Sequence, residues 1–170
     1  MIKGFIAIIL SIFVAYGANS KIDNQLPKTL ENIPLGIIVE HSKTKVYASL
    51  NNKDPEKYGK YLWHFETSIS TIKEDLIIIE FGAFIWDGKE WVFGSIYNRP
   101  FNSEEFAKWY SCENALIEKG KTVTDPNNWQ KSNQLTGEKK RTLWYYIGEN
   151  KKGQKFLGTS EVLMIGELEE

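Results

Sequence analysis

The chain has 170 residues, and its 21 basic and 22 acidic side chains leave a net charge close to zero. Binding to a phosphate backbone needs a basic surplus, so the charge excludes nucleic acid as an expected partner. Aromatic residues make up 14% of the chain. Disordered chains lack such a content, so a packed core is expected.

Residues 1–20 have the pattern of a secretory signal peptide. One lysine precedes an apolar run at residues 5–14, and small residues follow it. This run of about ten residues is short beside the roughly twenty that a membrane-spanning helix needs. We therefore predict cleavage to a mature N-terminus between Gly17 and Lys21, no stable membrane anchor afterwards, and a secreted or periplasmic protein. A buried element of the folded domain and a retained anchor are the alternatives.

Cys112 is the only cysteine. An exported chain with one cysteine cannot close an internal disulfide, so its stability must come from core burial. The absence of a cysteine near the cleavage point excludes lipid attachment at the new N-terminus. We expect Cys112 to be a buried, unreactive thiol. An intermolecular disulfide or a reactive thiol are the alternatives.

The sequence after the signal peptide divides into a leader at residues 21–36 and a single domain at residues 37–170. Residues 61–70 alternate apolar and polar side chains, which predicts a strand with one buried face. Four other predictions follow from β-rich runs and turn clusters: a hairpin of residues 36–40 with 45–50, an irregular region at 111–140, a structured loop within it at 122–129, and a last strand pair of 142–147 with 156–165.

A central hairpin is predicted around Asp87–Gly88–Lys89–Glu90, because Asp-Gly between two apolar runs favours a tight turn. Its strands, residues 76–86 and 91–97, would present two different faces. The first is mainly aliphatic, with Ile77, Ile79, Phe81, Ala83 and Ile85. The second is aromatic, with Glu80, Gly82, Phe84, Trp86, Trp91 and Phe93. A β-bulge would mix these two sets.

Residues 101–110 are predicted to form a short helix. Asn102 can cap it, and Glu105 can reach back to complete a capping box. Phe106 and Trp109 share one face at helical spacing. Since the helix follows the hairpin closely, we expect this face to cover the aromatic face of the hairpin.

The pattern amounts to about eight strands with short turns and one helix. Nothing alternates helix with strand as a parallel sheet would require. We therefore predict a mainly β fold, an antiparallel β-sandwich of immunoglobulin-like type. A small β-barrel is the alternative.

Signatures of known chemistry are absent from the sequence. There is no Gly-x-Ser-x-Gly nucleophile elbow, no His-Glu-x-x-His zinc helix and no phosphate-binding glycine loop. His64 and Glu66 share one strand face, which a solvated face explains. Oxygen ligands at Asp125, Asn127 and Asn128 lack the rest of a calcium loop. We predict no catalytic residue, no metal and no cofactor.

The remaining feature is the aromatic face of the hairpin. Burying one aromatic side chain is worth several kcal/mol, so something must cover most of this face. Part of it could instead line a groove for a sugar, a peptide or an apolar molecule, with Trp86, Trp91, Phe84, Phe93 and Glu80 as ligand-binding residues. The sequence thus favours an exported, non-catalytic binding or accessory protein. An enzyme with an unrecognised site, and a structural protein that pairs with a protein partner through a sheet edge or Cys112, are the alternatives.

Overall fold

The computed structural model describes residues 25–169, and the predicted signal peptide lies outside this range. Ten strands and three short helical segments follow one another along the chain. They are β1 (Ile38–His41), β2 (Lys45–Leu50), α1 (Pro55–Tyr58), β3 (Tyr61–Ser70), β4 (Leu76–Trp86), β5 (Trp91–Gly94), β6 (Phe101–Asn102), α2 (Ser103–Trp109), a 3₁₀ turn (Glu113–Ala115), β7 (Leu116–Ile117), β8 (Thr122–Ser132), β9 (Lys139–Glu149) and β10 (Lys155–Leu168).

The strands form one curled, open sheet in the shape of a half-barrel. Its main path is β1-β3-β2-β10-β9-β4-β5, and β8 pairs with β3. The protein is therefore mainly β, as predicted, but the immunoglobulin-like sandwich is not confirmed. Its strands curl around one core instead of dividing into two packed sheets. The alternative of a small barrel is compatible with this shape.

The predicted hairpin between the first two strands is wrong. β1 pairs with β3, whereas β2 pairs with β3 through its last residues and runs parallel to β10. The turn between β1 and β2 carries the chain from one end of β3 to the other. Gly158 on β10 lets the residue before β1 pass close by, because a Cβ there would lie 2.8 Å from the backbone oxygen of Ile37.

The concave side of the sheet holds the main core. β3 supplies every second residue to it, since Trp63, Phe65, Thr67 and Ile69 are buried while His64 and Glu66 are exposed. This alternation confirms the half-buried strand that the sequence predicts. The ring of Tyr146 stacks on Phe81 with centroids 5.5 Å apart.

A β-bulge in β4 changes which side chains of this strand face the inner core. Ile78 pairs with Gly148 and Glu80 with Ile147, so Ile79 is an extra residue. As a result Leu76 and Ile78 share the inner core with Phe81 and Ala83, while Ile77 is exposed and Ile79 packs on the outer side. The prediction of the aliphatic face is therefore correct only for the residues after the bulge, such as Phe81 and Ala83.

Local turn and cap chemistry follows the sequence closely. The predicted turn has four residues, since Trp86 pairs with Trp91 across it, and the Asp87 carboxylate accepts hydrogen bonds from the backbone N–H groups of Lys89 and Glu90. At the start of α2 the capping box of Asn102 and Glu105 is complete. No helix in residues 25–169 has the length and apolar content needed to cross a membrane.

The region at 111–140 is more regular than predicted. Residues 122–132 form β8, an eleven-residue strand paired with β3, where the sequence predicts a loop over 122–129. The prediction is wrong because Pro126, Asn127 and Asn128 are typical turn residues. Here they lie at an irregularity in the pairing with β3, where an edge strand tolerates a proline.

Candidate functional site

The aromatic face of the hairpin lies on the convex side of the sheet. The ring centroids of Trp86 and Trp91 are 5.3 Å apart, and those of Phe84 and Phe93 are 5.5 Å apart. Tyr145 on β9 joins this group beside Phe84. The structure therefore brings together the four aromatic residues that the sequence selects as ligand-binding.

The N-terminal segment covers much of this face. Leu30 is only 2% exposed and belongs to the same cluster as Phe84 and Tyr145, with Leu26 packed beside it. The indole N–H of Trp91 donates to the backbone oxygen of Gln25 at 2.8 Å. Most of the aromatic surface is thus buried by the chain itself.

Trp86 and Trp91 remain half-buried at the turn end of the hairpin. The guanidinium of Arg141 lies over both rings, 5.7 Å from the centroid of Trp86 and 5.2 Å from that of Trp91. Glu161 accepts two hydrogen bonds of 2.7 Å from Arg141 and raises the pKa of its guanidinium. The exposed patch is therefore a cation–π cluster with a fixed charge pair.

Glu80 is part of the convex face but has a partner there. The hydroxyl of Tyr145 donates to its carboxylate at 2.9 Å. Burial, followed by the neighbouring charge of Glu80, raises the pKa of Tyr145. Gly82 makes room for this pair, since a Cβ at that position would lie 3.1 Å from the Tyr145 ring. Glu80 thus orients Tyr145, a role that needs no ligand.

Helix α2 does not cover the aromatic face, so the packing predicted from the sequence is wrong. Phe106 and Trp109 contact Phe81 on the concave side, with ring centroids 5.6 and 5.4 Å away. Phe106 also stacks on Tyr110 at 4.2 Å. The connection from β5 carries the helix to the inner side of the sheet, and the outer side is left to the N-terminal segment.

A cleft of about 680 Å³ opens on the concave side, between the two edges of the half-barrel. Residues 125–131 of β8 form one wall, and Ala83, Ile85 and residues 94–96 form the other. Trp144 of β9 lies between these walls, and Trp109 of α2 closes one end. The volume is within the usual range of small-molecule and cofactor sites.

Trp144 is 5% exposed, and its indole N–H has no hydrogen-bond acceptor in the part of the chain that the structure describes. The indole N–H groups of two other tryptophans do have acceptors. Trp63 donates to the Ile165 oxygen and Trp91 to the Gln25 oxygen, both at 2.8 Å. Buried indole N–H groups normally find a partner. The cleft thus has an unsatisfied donor among its lining residues.

Most polar side chains of the β8 wall are bound to the protein. The Asp125 carboxylate accepts from the backbone N–H of Asn127 at 2.9 Å, and burial raises its pKa. The Asn128 amide donates to the Thr67 hydroxyl, and the Gln130 amide oxygen accepts from Thr142. These contacts account for the side chains of Asp125 and Asn128 without a calcium ion.

The other candidates from the sequence are not brought together. His64 and Glu66 are exposed on the outer side of β3. Cys112 is buried, and its thiol donates to the Leu116 oxygen at 2.9 Å. Residues 25–169 contain no group of three or more histidine, cysteine, aspartate or glutamate side chains placed to hold a metal ion.

Sequence reasoning missed the residues of the cleft. Trp144 belongs to a strand whose two faces are both apolar, so alternation could not assign it to either side. Residues 125–131 resembled a loop. The only available signal was the number of tryptophans, because Trp109, Trp129 and Trp144 all lie around this cleft.

Comparison with known proteins assigns this chain to no family. No protein-family model matches the chain, and no curated protein matches it. Among solved structures, a protein named as ApaA from Bordetella pertussis is similar over 78% of this chain and 95% of that chain, with 13% sequence identity and a TM-score of 0.43. A likeness of this degree supports no conclusion about activity or ligand.

Proposed function

We propose that this chain is an exported binding protein, without catalysis of its own, that takes its ligand in the cleft between the edges of the half-barrel. One observation carries the proposal. The cleft of about 680 Å³ is lined by Trp109, Trp129 and Trp144, and the last of these is a buried donor without an acceptor in residues 25–169. Apolar walls with a few polar groups are the usual composition of a binding site.

Two exposed apolar residues, one on β5 and one in the turn that follows it, provide a matched test of the cleft. Ile96 lines it and is 43% exposed, whereas Val92 is 47% exposed and is not part of the lining. Because both side chains are exposed, a glutamate at either position should leave the fold intact. We expect Ile96→Glu to weaken binding of Nile red, a neutral apolar dye, at least fivefold, and Val92→Glu to leave it unchanged. Equal effects of the two variants on a dye titration would contradict the cleft as the site.

A second candidate site is the patch of Trp86, Trp91 and Arg141 on the convex side. It is supported by the partial exposure of both indole rings under a fixed guanidinium. If this patch is the site, Trp86→Ala should weaken the binding of Nile red and Ile96→Glu should not. Loss of binding in the Trp86 variant alone would transfer the proposed function to the convex face.

Export of the chain is proposed from residues 1–20 alone. N-terminal sequencing of protein recovered outside the cytoplasm tests it, and a start between Gly17 and Lys21 is the expected result. Material that still begins at Met1 would contradict cleavage. Mass spectrometry of the same native sample would reveal a co-purified ligand.

A further inference from the structure

The sheet is open, and its edge strands adjoin the cleft. β8 pairs with β3 along one side, and within residues 25–169 no strand pairs with its other side. β5 likewise pairs only with β4 in the described part of the chain. An open edge leaves a row of backbone N–H and C=O groups without partners in the sheet.

The cleft follows the edge of β8. Every residue from Asp125 to Lys131 lines it. A strand that met the cleft through one face would contribute only alternate residues, because successive side chains point to opposite sides. The wall therefore includes the backbone edge of the strand. At about 3.3 Å per residue, these seven positions extend over roughly 20 Å, the length of an ordinary strand.

Given the cleft site proposed above, we propose that its occupant is an extended peptide segment of a partner protein, which adds as a strand to the free edge of β8. Pairing would run along residues 128–131, because Pro126 has no N–H group and the N–H of Asn127 already donates to the Asp125 carboxylate. Such β-strand addition combines backbone hydrogen bonds for affinity with pockets for alternate side chains. Trp109, Trp144 and Phe101 supply the apolar surface for those side chains.

The hydrogen bonding of the polar groups along the cleft favours a peptide over a sugar as the ligand. Recognition of a sugar needs free side-chain donors and acceptors around the ring hydroxyls. In the β8 wall, Asp125, Asn128 and Gln130 each make one hydrogen bond within the protein, which reduces the side-chain groups free for ring hydroxyls. The backbone edge is the larger source of unpaired polar groups. Lys108 and Lys131 are exposed beside the cleft and favour acidic residues at the ends of the peptide.

The test uses ¹⁵N-labelled protein and heptapeptides selected from a random display library. For strand addition, we expect every second amide of residues 128–131 to gain hydrogen-exchange protection of at least tenfold when peptide is bound. N-methylation of the peptide at one set of alternate amides should weaken binding at least tenfold. Methylation at the intervening amides, in the same peptide, should leave affinity unchanged and is the matched control.

The outcomes separate this proposal from the proposed function. Peptides that bind with no alternation in either measurement, or a library that yields no binder at the cleft, would overturn strand addition. If soluble oligosaccharides or Nile red shift the cleft resonances while peptides do not, the cleft remains a binding site and the peptide proposal falls. If none of the three probes shifts those resonances, both proposals fall.

Discussion

The indole nitrogen of Trp91 donates a hydrogen bond to the backbone oxygen of Gln25, with 2.8 Å between the two atoms. This bond fixes one end of the N-terminal segment on the convex face. At the other end, the backbone N–H of Gly36 donates to the Leu157 oxygen, and the N–H of Leu157 donates to the Pro34 oxygen. Between these two attachments Leu30 enters the outer core. The segment is therefore an integral part of the fold.

Leu30→Ala should lower the free energy of unfolding by about 2–5 kcal/mol, because it leaves a cavity under a nearly fully buried leucine. Leu35 lies in the same segment but is 67% exposed. Leu35→Ala should therefore change stability by no more than about 0.5 kcal/mol. Urea denaturation of the two variants gives the comparison, and equal losses would show that the segment does not pack on the sheet in solution.

The placement of α2 on the concave side can be checked by a double-mutant cycle. Trp109 and Phe81 make an edge-to-face contact with centroids 5.4 Å apart. We expect Trp109→Ala and Phe81→Leu to couple by roughly 0.5–1.5 kcal/mol in the free energy of unfolding. The pair Trp109→Ala and Phe93→Leu should be additive, since Phe93 is on the opposite face. Coupling of Trp109 to Phe93 instead would restore the packing that the sequence suggested.

The features that the sequence predicted correctly depend on neighbours close in the chain. The capping box joins residues three apart, and the tight turn depends on Asp87 and the glycine that follows. The alternation of β3 is a property of ten consecutive residues. Such features need no knowledge of distant partners, so the sequence alone determines them.

The features that it missed depend on partners distant in the chain. The bulge at Ile79 exists only in the register between β4 and β9, and the parallel pairing of β2 joins it to the last strand. β8 is polar because its unpaired edge and one of its two side-chain faces are in contact with solvent. Trp144 lines the cleft because the sheet curls around it. None of these properties leaves a local pattern, and so the cleft could not be predicted.

Cys112 should behave as an inert core residue. Burial raises the pKa of its thiol, which lowers the thiolate fraction near neutral pH. Cys112→Ser should lower stability by about 1–3 kcal/mol, since a more polar hydroxyl takes a buried site. A bulky thiol reagent should label the native protein only as fast as the protein opens. Rapid labelling, or a disulfide-linked dimer on a non-reducing gel, would be inconsistent with this assignment.

Acid should destabilise the protein through His41. The Ser160 oxygen can only accept, so His41 carries its proton on Nε2, and Nδ1 accepts from the Thr67 hydroxyl at 3.0 Å. Burial lowers the pKa of His41 from 6.5 to about 4. Between these two values the unfolded chain binds more protons than the folded one. The stability from a neutral His41 is therefore complete above about pH 6.5 and falls as the pH decreases towards 4.

The shift corresponds to a loss of about 2–3 kcal/mol across this window. We expect His41→Asn to be less stable at pH 7 and to lose this part of the pH dependence. His64→Gln is the matched control, because His64 is exposed on the other side of β3 and should leave most of the slope in place. Urea denaturation at half-unit steps from pH 7 to pH 4 measures both slopes. An unchanged slope in the His41 variant would mean that the imidazole is protonated as readily in the folded protein as in the unfolded chain.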